Sequence, residues 1–89
     1  MGPRSLAKKI ITKFLNNAEC YYLRSDDRSI AYETAYWIVD RNVSNYDNDQ
    51  IETAAYELID QVRACVVCAD RAAQYNRNVK SKQPRSMIA

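Results

Sequence analysis

Glycine and proline are nearly absent from this 89-residue chain, which contains Gly2, Pro3 and Pro84 and no others. Neither residue type occurs between Arg4 and Gln83. Glycine supplies left-handed turns and proline ends helices, so a small sheet protein usually needs several of each. Their scarcity therefore favours an all-α fold in which Asn, Asp and Ser form the turns.

Histidine is missing altogether. This absence removes the most frequent general base and metal ligand, and neither a Ser-His-Asp nor a Cys-His arrangement can be built. The single glycine also excludes a glycine-rich phosphate cradle. The carboxylate pairs Glu33/Asp40 and Glu57/Asp60 have the spacing of solvent-facing helix positions. We therefore expect no enzymatic activity, no catalytic residue and no cofactor.

Long apolar runs are also absent, and no segment approaches the roughly 18 residues of a membrane span. Near the amino terminus Lys13 interrupts the apolar residues, so no secretory signal is predicted. We expect an intracellular, cytoplasmic protein that has no membrane partner and whose three cysteines are reduced.

Apolar residues at helical spacing predict a small three-helix bundle with a long third helix. Helix 1 is expected over Ser5–Leu23, with Ser5 as its N-cap, and helix 2 over Asp27–Arg41. A third helix begins at one of two capping-box patterns near 47–52 and continues to Arg77. We expect residues 1–77 to form one domain, followed by a loose basic tail over 78–89.

The predicted inward faces differ in length. Helix 1 presents a stripe centred on Phe14, and helix 2 turns Ile30, Ala31 and Ile38 inward, with Trp37 on its flank. The stripe of helix 3 consists of Ile51, Ala55, Leu58, Ile59, Val62, Val66, Ala69 and Ala73. The predicted helix 3 is about 40 Å long, whereas helices 1 and 2 are about 28 and 22 Å long. Its far half needs helix 1 or a second copy of the chain, and a structural homodimer is one alternative function.

Charge is segregated although the net charge is only +2. Residues 1–24 carry five Lys/Arg and one Glu, and residues 63–89 carry six Lys/Arg and one Asp. The central residues 25–62 carry nine Asp/Glu and two Arg, a balance of −7. Such a chain can present one acidic and one basic surface to partners.

Tyrosine is the most informative residue type for function. Of the seven in the chain, Tyr32 and Tyr36 are predicted to share an outward edge of helix 2, with Glu33 and Asp40 beside them. Tyr56 lies off the helix 3 stripe. Exposed tyrosine among acidic residues is typical of a protein-binding surface, although these rings could instead lie across neighbouring helices as part of a small core.

We therefore expect a non-enzymatic protein-binding module that uses Tyr32, Glu33, Tyr36, Asp40 and Tyr56 against a basic partner. By analogy of size and charge, it could be a small phage-type inhibitor that blocks a nucleic-acid-binding host or defence protein. The alternative partner is nucleic acid, bound by a basic surface of helices 1 and 3. The residues of that surface would be Lys8, Lys13, Arg71 and Arg77.

The cysteines form one motif, Cys65-x-x-Cys68, with Cys20 as a third thiol. Within a continuous helix 3 both thiols of the motif lie mid-helix, with Cys65 at the edge of the core and Cys68 nearer solvent. We expect small buried or half-buried side chains there. Three ligands fall short of a structural zinc site, and a redox pair normally sits where a helix begins. Metal and redox roles stay open as weaker alternatives.

Overall fold

The computed structural model describes residues 2–13 and 15–82, and these residues form five α-helices with no strand among them. The helices are α1 (Pro3–Lys13), α2 (Asn17–Leu23), α3 (Arg28–Asn42), α4 (Asn48–Ala64) and α5 (Val66–Lys82). The predicted all-α class is confirmed, but five helices replace the three expected. The predicted helices 1 and 3 are each divided in two.

The first division separates α1 from α2. Helix α1 begins at Pro3, not after Ser5, since proline suits the first helical position and Leu6 donates its N–H to the Gly2 carbonyl. Asn16 then starts α2 with a capping box: its side chain accepts from Glu19 N–H at 2.8 Å, and Glu19 accepts from Asn16 N–H at 3.0 Å. Phe14, the expected centre of the helix 1 stripe, lies outside the described residues.

Helix α3 lies within one residue of its predicted bounds. Asp27 accepts from the N–H of Ser29 at 2.9 Å and starts the helix. Ala31 and Ile38 are buried as expected, whereas Ile30 is 41% exposed and was wrongly assigned to the inner face.

The second division separates α4 from α5 at Cys65, so the prediction of one continuous third helix is wrong. The backbone of Cys65 is extended, with φ −95° and ψ 118°. Distant side chains replace the helical hydrogen bonds that the break removes. The guanidinium of Arg24 donates to the carbonyls of Val62 and Arg63 at 3.2 and 3.3 Å, and Arg63 in turn donates to the Ser25 carbonyl at 3.0 Å.

The break lets α5 fold against α2, while α1 and α3 pack on α4. Helix α2, the second half of the predicted helix 1, thus packs on the far half of the predicted helix 3. Beyond the break the buried face is rotated: Val66 and Ala73 are exposed, and Cys68 and Ala72 are buried in their place. The largest fully buried side chains are Ile10, Leu23, Ile38, Leu58, Val39, Val62, Cys20 and Cys68.

Helix α5 continues to Lys82, five residues beyond the expected end at Arg77. Residues 78–82 of the predicted tail are therefore helical. The rest of that tail, residues 83–89, lies outside the described residues.

Candidate protein-binding face

Three tyrosine rings from two helices meet on one side of the molecule. Tyr32 and Tyr36 are one turn apart on α3, with ring centroids 6.0 Å apart. Tyr56 of α4 lies 5.3 Å from Tyr32, and it is 55% exposed. Tyr32 and Tyr36 are half-buried against the core. The rings bridge α3 and α4, as expected if they belong to a small core. They also present surface to solvent, as a protein-binding surface requires.

A hydrogen bond fixes one of these rings, and a neighbouring carboxylate affects the ionisation of another. The Tyr36 hydroxyl donates to the Asn48 side chain at 3.0 Å and so ties α3 to the start of α4. The pKa of Tyr32 is raised, first by desolvation and then by the neighbouring Glu52 carboxylate. The Tyr32 phenol therefore stays neutral at physiological pH. Pre-positioned rings offer contact area with little entropy left to lose.

The acidic residues around the rings differ in whether their carboxylates make contacts within the chain. Asp27 and Asp47 cap α3 and α4, and Glu57 pairs with Arg4 at 3.5 Å. Glu33 and Asp40 are exposed on α3, and neither carboxylate has a hydrogen-bond or ion-pair partner among the described residues. Their negative charge is therefore available to a partner.

Trp37 is the residue of this region that the sequence analysis underrated, since it was placed only on the flank of helix 2. It is 66% exposed, and the Arg41 guanidinium lies 5.7 Å from its ring centroid. Arg41 is itself paired with Glu19 at 2.8 Å. Trp37 lies one turn after Glu33, and this spacing could have placed it on the outer stripe.

A shallow groove of about 730 Å³ extends along this side of α3. Its walls include Tyr32, Glu33, Tyr36 and Trp37 of α3 and Tyr22 of α2. We use the name acidic aromatic face for the groove side of α3 and the adjoining ring of α4; its residues are Tyr32, Glu33, Tyr36, Trp37, Asp40 and Tyr56. All five residues proposed from sequence belong to this face, and three of them make the ring cluster.

The residues of the alternative basic surface are spread over two helices that pack on different partners. Lys8 and Lys13 are exposed on α1, which packs on α4, whereas Arg71 and Arg77 belong to α5, which packs on α2. Arg71 donates to the Leu15 carbonyl at 2.8 Å, and Arg77 donates to the Gln74 side chain at 2.8 Å. Both guanidinium groups therefore have contacts within the chain.

A second tyrosine cluster lies where α2 meets α5. Tyr75 lies 5.1 Å from Tyr21 and 5.9 Å from Tyr22, measured between ring centroids. The hydroxyls of Tyr22 and Tyr75 are 3.2 Å apart, and this hydrogen bond raises the pKa of Tyr75. This cluster joins two helices of the fold, and Tyr21 shares a groove with Asp26 and Asp27.

The three cysteines meet at the start of α5, and this placement corrects the sequence interpretation of the motif. Cys65 is not mid-helix: it immediately precedes α5, and its Sγ accepts a hydrogen bond from the Cys68 N–H at 3.4 Å. Cys68, expected nearer solvent, is buried, and its thiol contacts the thiols of both Cys20 and Cys65. No group of three or more cysteine and carboxylate side chains in the described part of the chain is placed to hold a metal ion.

Burial and hydrogen bonding give these thiols opposite properties. The pKa of Cys65 is lowered, chiefly because the Cys68 N–H donates to its sulfur, and the Arg24 guanidinium acts in the same direction. Desolvation raises the pKa of both Cys20 and Cys68. Cys65 is half-buried and Cys20 is fully buried.

None of the five described helices combines the length and hydropathy that a bilayer crossing requires. In comparisons with known proteins, no family model, no curated protein and no solved structure matches this chain.

Proposed function

We propose that this chain is a non-enzymatic protein-binding module whose acidic aromatic face binds a basic surface of another protein. The observation that carries the proposal is the ring cluster, in which Tyr32, Tyr36 and Tyr56 converge from two helices beside acidic residues. Aromatic rings in a partly desolvated patch are the usual anchors of protein interfaces. The exposed carboxylates of Glu33 and Asp40 would provide charge complementarity and orientation.

The charge distribution favours a partner that itself binds nucleic acid. Residues 25–62 form α3, most of α4 and the turns before them. They carry nine Asp/Glu and two Arg, a net charge of −7. A basic groove that normally holds phosphates would attract such a surface. The finer proposal is therefore an inhibitor that occupies the nucleic-acid-binding surface of its target, in the manner of small phage-type inhibitors.

The test is capture of host proteins by the full chain, with two charge-reversed variants as a matched pair. Glu33→Lys with Asp40→Lys changes the acidic aromatic face, and Lys8→Glu with Lys13→Glu makes an equal and opposite change on α1. All four side chains are exposed, so both variants should retain the helical circular dichroism of the parent. We expect a specific partner to be lost by the first variant and kept by the second.

Nucleic acid added as competitor then tests the finer proposal. If the captured protein uses its nucleic-acid-binding surface, DNA or RNA should release it from this chain. A partner that both variants retain would show that the face is not the binding site. Loss of binding in the Lys8→Glu, Lys13→Glu variant alone, with a gel shift of nucleic acid by the parent chain at low salt, would favour the basic surface instead.

A further inference from the structure

The thiol cluster at the α4–α5 break is separate from the acidic aromatic face, and the proposed function does not use it. Two cysteines three residues apart are brought to the start of a helix, and a third buried thiol lies against them. The break at Cys65 positions its sulfur over the first turn of α5, where it accepts the N–H of Cys68. This is a dithiol arrangement in which Cys65 is half-buried and Cys68 is buried.

We propose that Cys65 and Cys68 form a reversible disulfide by thiol–disulfide exchange with a low-molecular-weight disulfide, and that Cys65 is the attacking thiol. Cys65 is half-buried, whereas Cys20 and Cys68 are buried, so an external disulfide reaches Cys65 first. The N–H of Cys68 and the positive end of α5 stabilise negative charge on the Cys65 sulfur.

The exchange proceeds in two steps. The Cys65 thiolate attacks one sulfur of the external disulfide, whose S–S bond breaks and releases a thiolate. The Cys68 sulfur then attacks Cys65 Sγ, a Cys65–Cys68 bond forms, and the second external thiol leaves with the proton of Cys68. The chain loses two electrons and two protons in all, and the external disulfide is reduced to two thiols.

The lowered pKa of Cys65 and the raised pKa of Cys68 fit these two roles. The attacking sulfur is the more readily ionised, and the resolving sulfur stays protonated until the mixed disulfide is beside it. Cys20 contacts Cys68 but is fully buried, so we assign it no step. A Cys20–Cys68 disulfide is the competing outcome that an experiment has to separate.

Oxidised glutathione and trypsin digestion separate the two pairings. Cleavage after Lys13, Arg24, Arg63 and Arg71 places Cys65 and Cys68 together in peptide 64–71 and Cys20 in peptide 14–24. We expect peptide 64–71 to become lighter by two hydrogen atoms, with peptide 14–24 still reduced. A cross-link between the two peptides, or a chain that stays reduced under excess oxidised glutathione, would overturn the proposal.

Serine variants of the full chain test the order of attack. Cys68→Ser should stop at a glutathione adduct on Cys65, and Cys65→Ser should react at least about tenfold more slowly than the parent. Cys20→Ser should form the disulfide at the parent rate, provided that circular dichroism shows it folded. Faster modification of Cys68 or Cys20 than of Cys65 in the reduced parent chain would contradict the assigned roles, and this comparison needs no variant.

Discussion

The α3–α4 pair and the α2–α5 pair are stabilised by different kinds of contact. Each helix of the first pair begins at an aspartate, Asp27 or Asp47, that bonds N–H groups within its own first turn. In the second pair Arg24 and Arg71 reach carbonyls of residues far away in the chain. The difference shows where charge remains available: the α3–α4 pair exposes carboxylates, whereas Arg24 at the end of α2 and Arg71 of α5 donate to backbone carbonyls of the chain.

This contrast explains why we favour a protein partner over nucleic acid. Phosphate binding needs guanidinium and ammonium groups that are exposed together. Arg24 and Arg71 donate to backbone carbonyls near the helix breaks. In the part of the chain that the structure describes, the contacts of the acidic aromatic face are made by its aromatic rings, and its two carboxylates are exposed.

The largest predicted effect concerns the long-range contact that supports the break. Arg24→Ala should lower the free energy of unfolding by about 2 kcal/mol, because the carbonyls of Val62 and Arg63 lose a charged donor. Urea titration measures the change. Arg28→Ala, which removes an exposed arginine at the start of α3, is the control and should change stability by less than about 0.5 kcal/mol. Equal effects of the two substitutions would refute the role of Arg24.

A second prediction uses the buried thiols of the α2–α5 pair. Because the pKa of Cys20 and Cys68 is raised in the folded chain, the unfolded chain releases their protons first as pH increases. The stability that these two thiols contribute should therefore be constant below the ordinary thiol pKa of 9.0 and fall above it, by up to about 1.4 kcal/mol per pH unit for each thiol.

Urea titrations under reducing conditions between about pH 8 and pH 10 measure this slope. Cys68→Ala should make it shallower. The lowered pKa of Cys65 acts below pH 9.0, where it adds stability as the pH rises, so Cys65→Ser should remove that rise and leave the decline above pH 9.0 unchanged. A decline that Cys68→Ala does not change would be assigned to other groups, such as the tyrosines.

A third prediction concerns the local caps of the α3–α4 pair. Asp47→Ala should cost about 1 kcal/mol, since the carboxylate accepts the Gln50 N–H at 2.9 Å and completes a capping box. Asp49→Ala, two residues later, removes the same charge without a cap and should cost only a few tenths of a kcal/mol. Thermal unfolding of the two variants measures the difference, and a larger loss for Asp49→Ala would place the start of α4 elsewhere.

Parts of this fold could be predicted from sequence because their signals are local. Asp27 and the Asp47–Gln50 box lie within a few residues of the ends they determine. The start of α3 was predicted within a residue, and the Asp47–Gln50 box was one of the two starts left open for α4. The Asn16–Glu19 box is equally local, but an unbroken apolar stripe across it favoured one long helix. The α4–α5 break was not predictable in this way, since Arg24 lies 38 residues from the carbonyl that it bonds.

The candidate face shows the same difference between local signals and long-range contacts. The spacing of Tyr32 and Tyr36 placed both rings on one edge of a single helix. The contact of Tyr32 with Tyr56, and the exposure of Trp37, depend on how α3 packs against α2 and α4. The positions of the thiols could not be predicted, because they follow from the break itself.

The most direct measurement is quenching of Trp37 fluorescence by acrylamide, with and without the captured partner. Trp37 is the single tryptophan of the chain and lies in the acidic aromatic face, 66% exposed. The partner's own tryptophans are first replaced, or their fluorescence is subtracted. If this face binds the partner, the acrylamide quenching constant of Trp37 should then fall by a factor of about two or more, and its emission should shift to the blue. Quenching of Trp37 that is unchanged in the saturated complex would contradict the account.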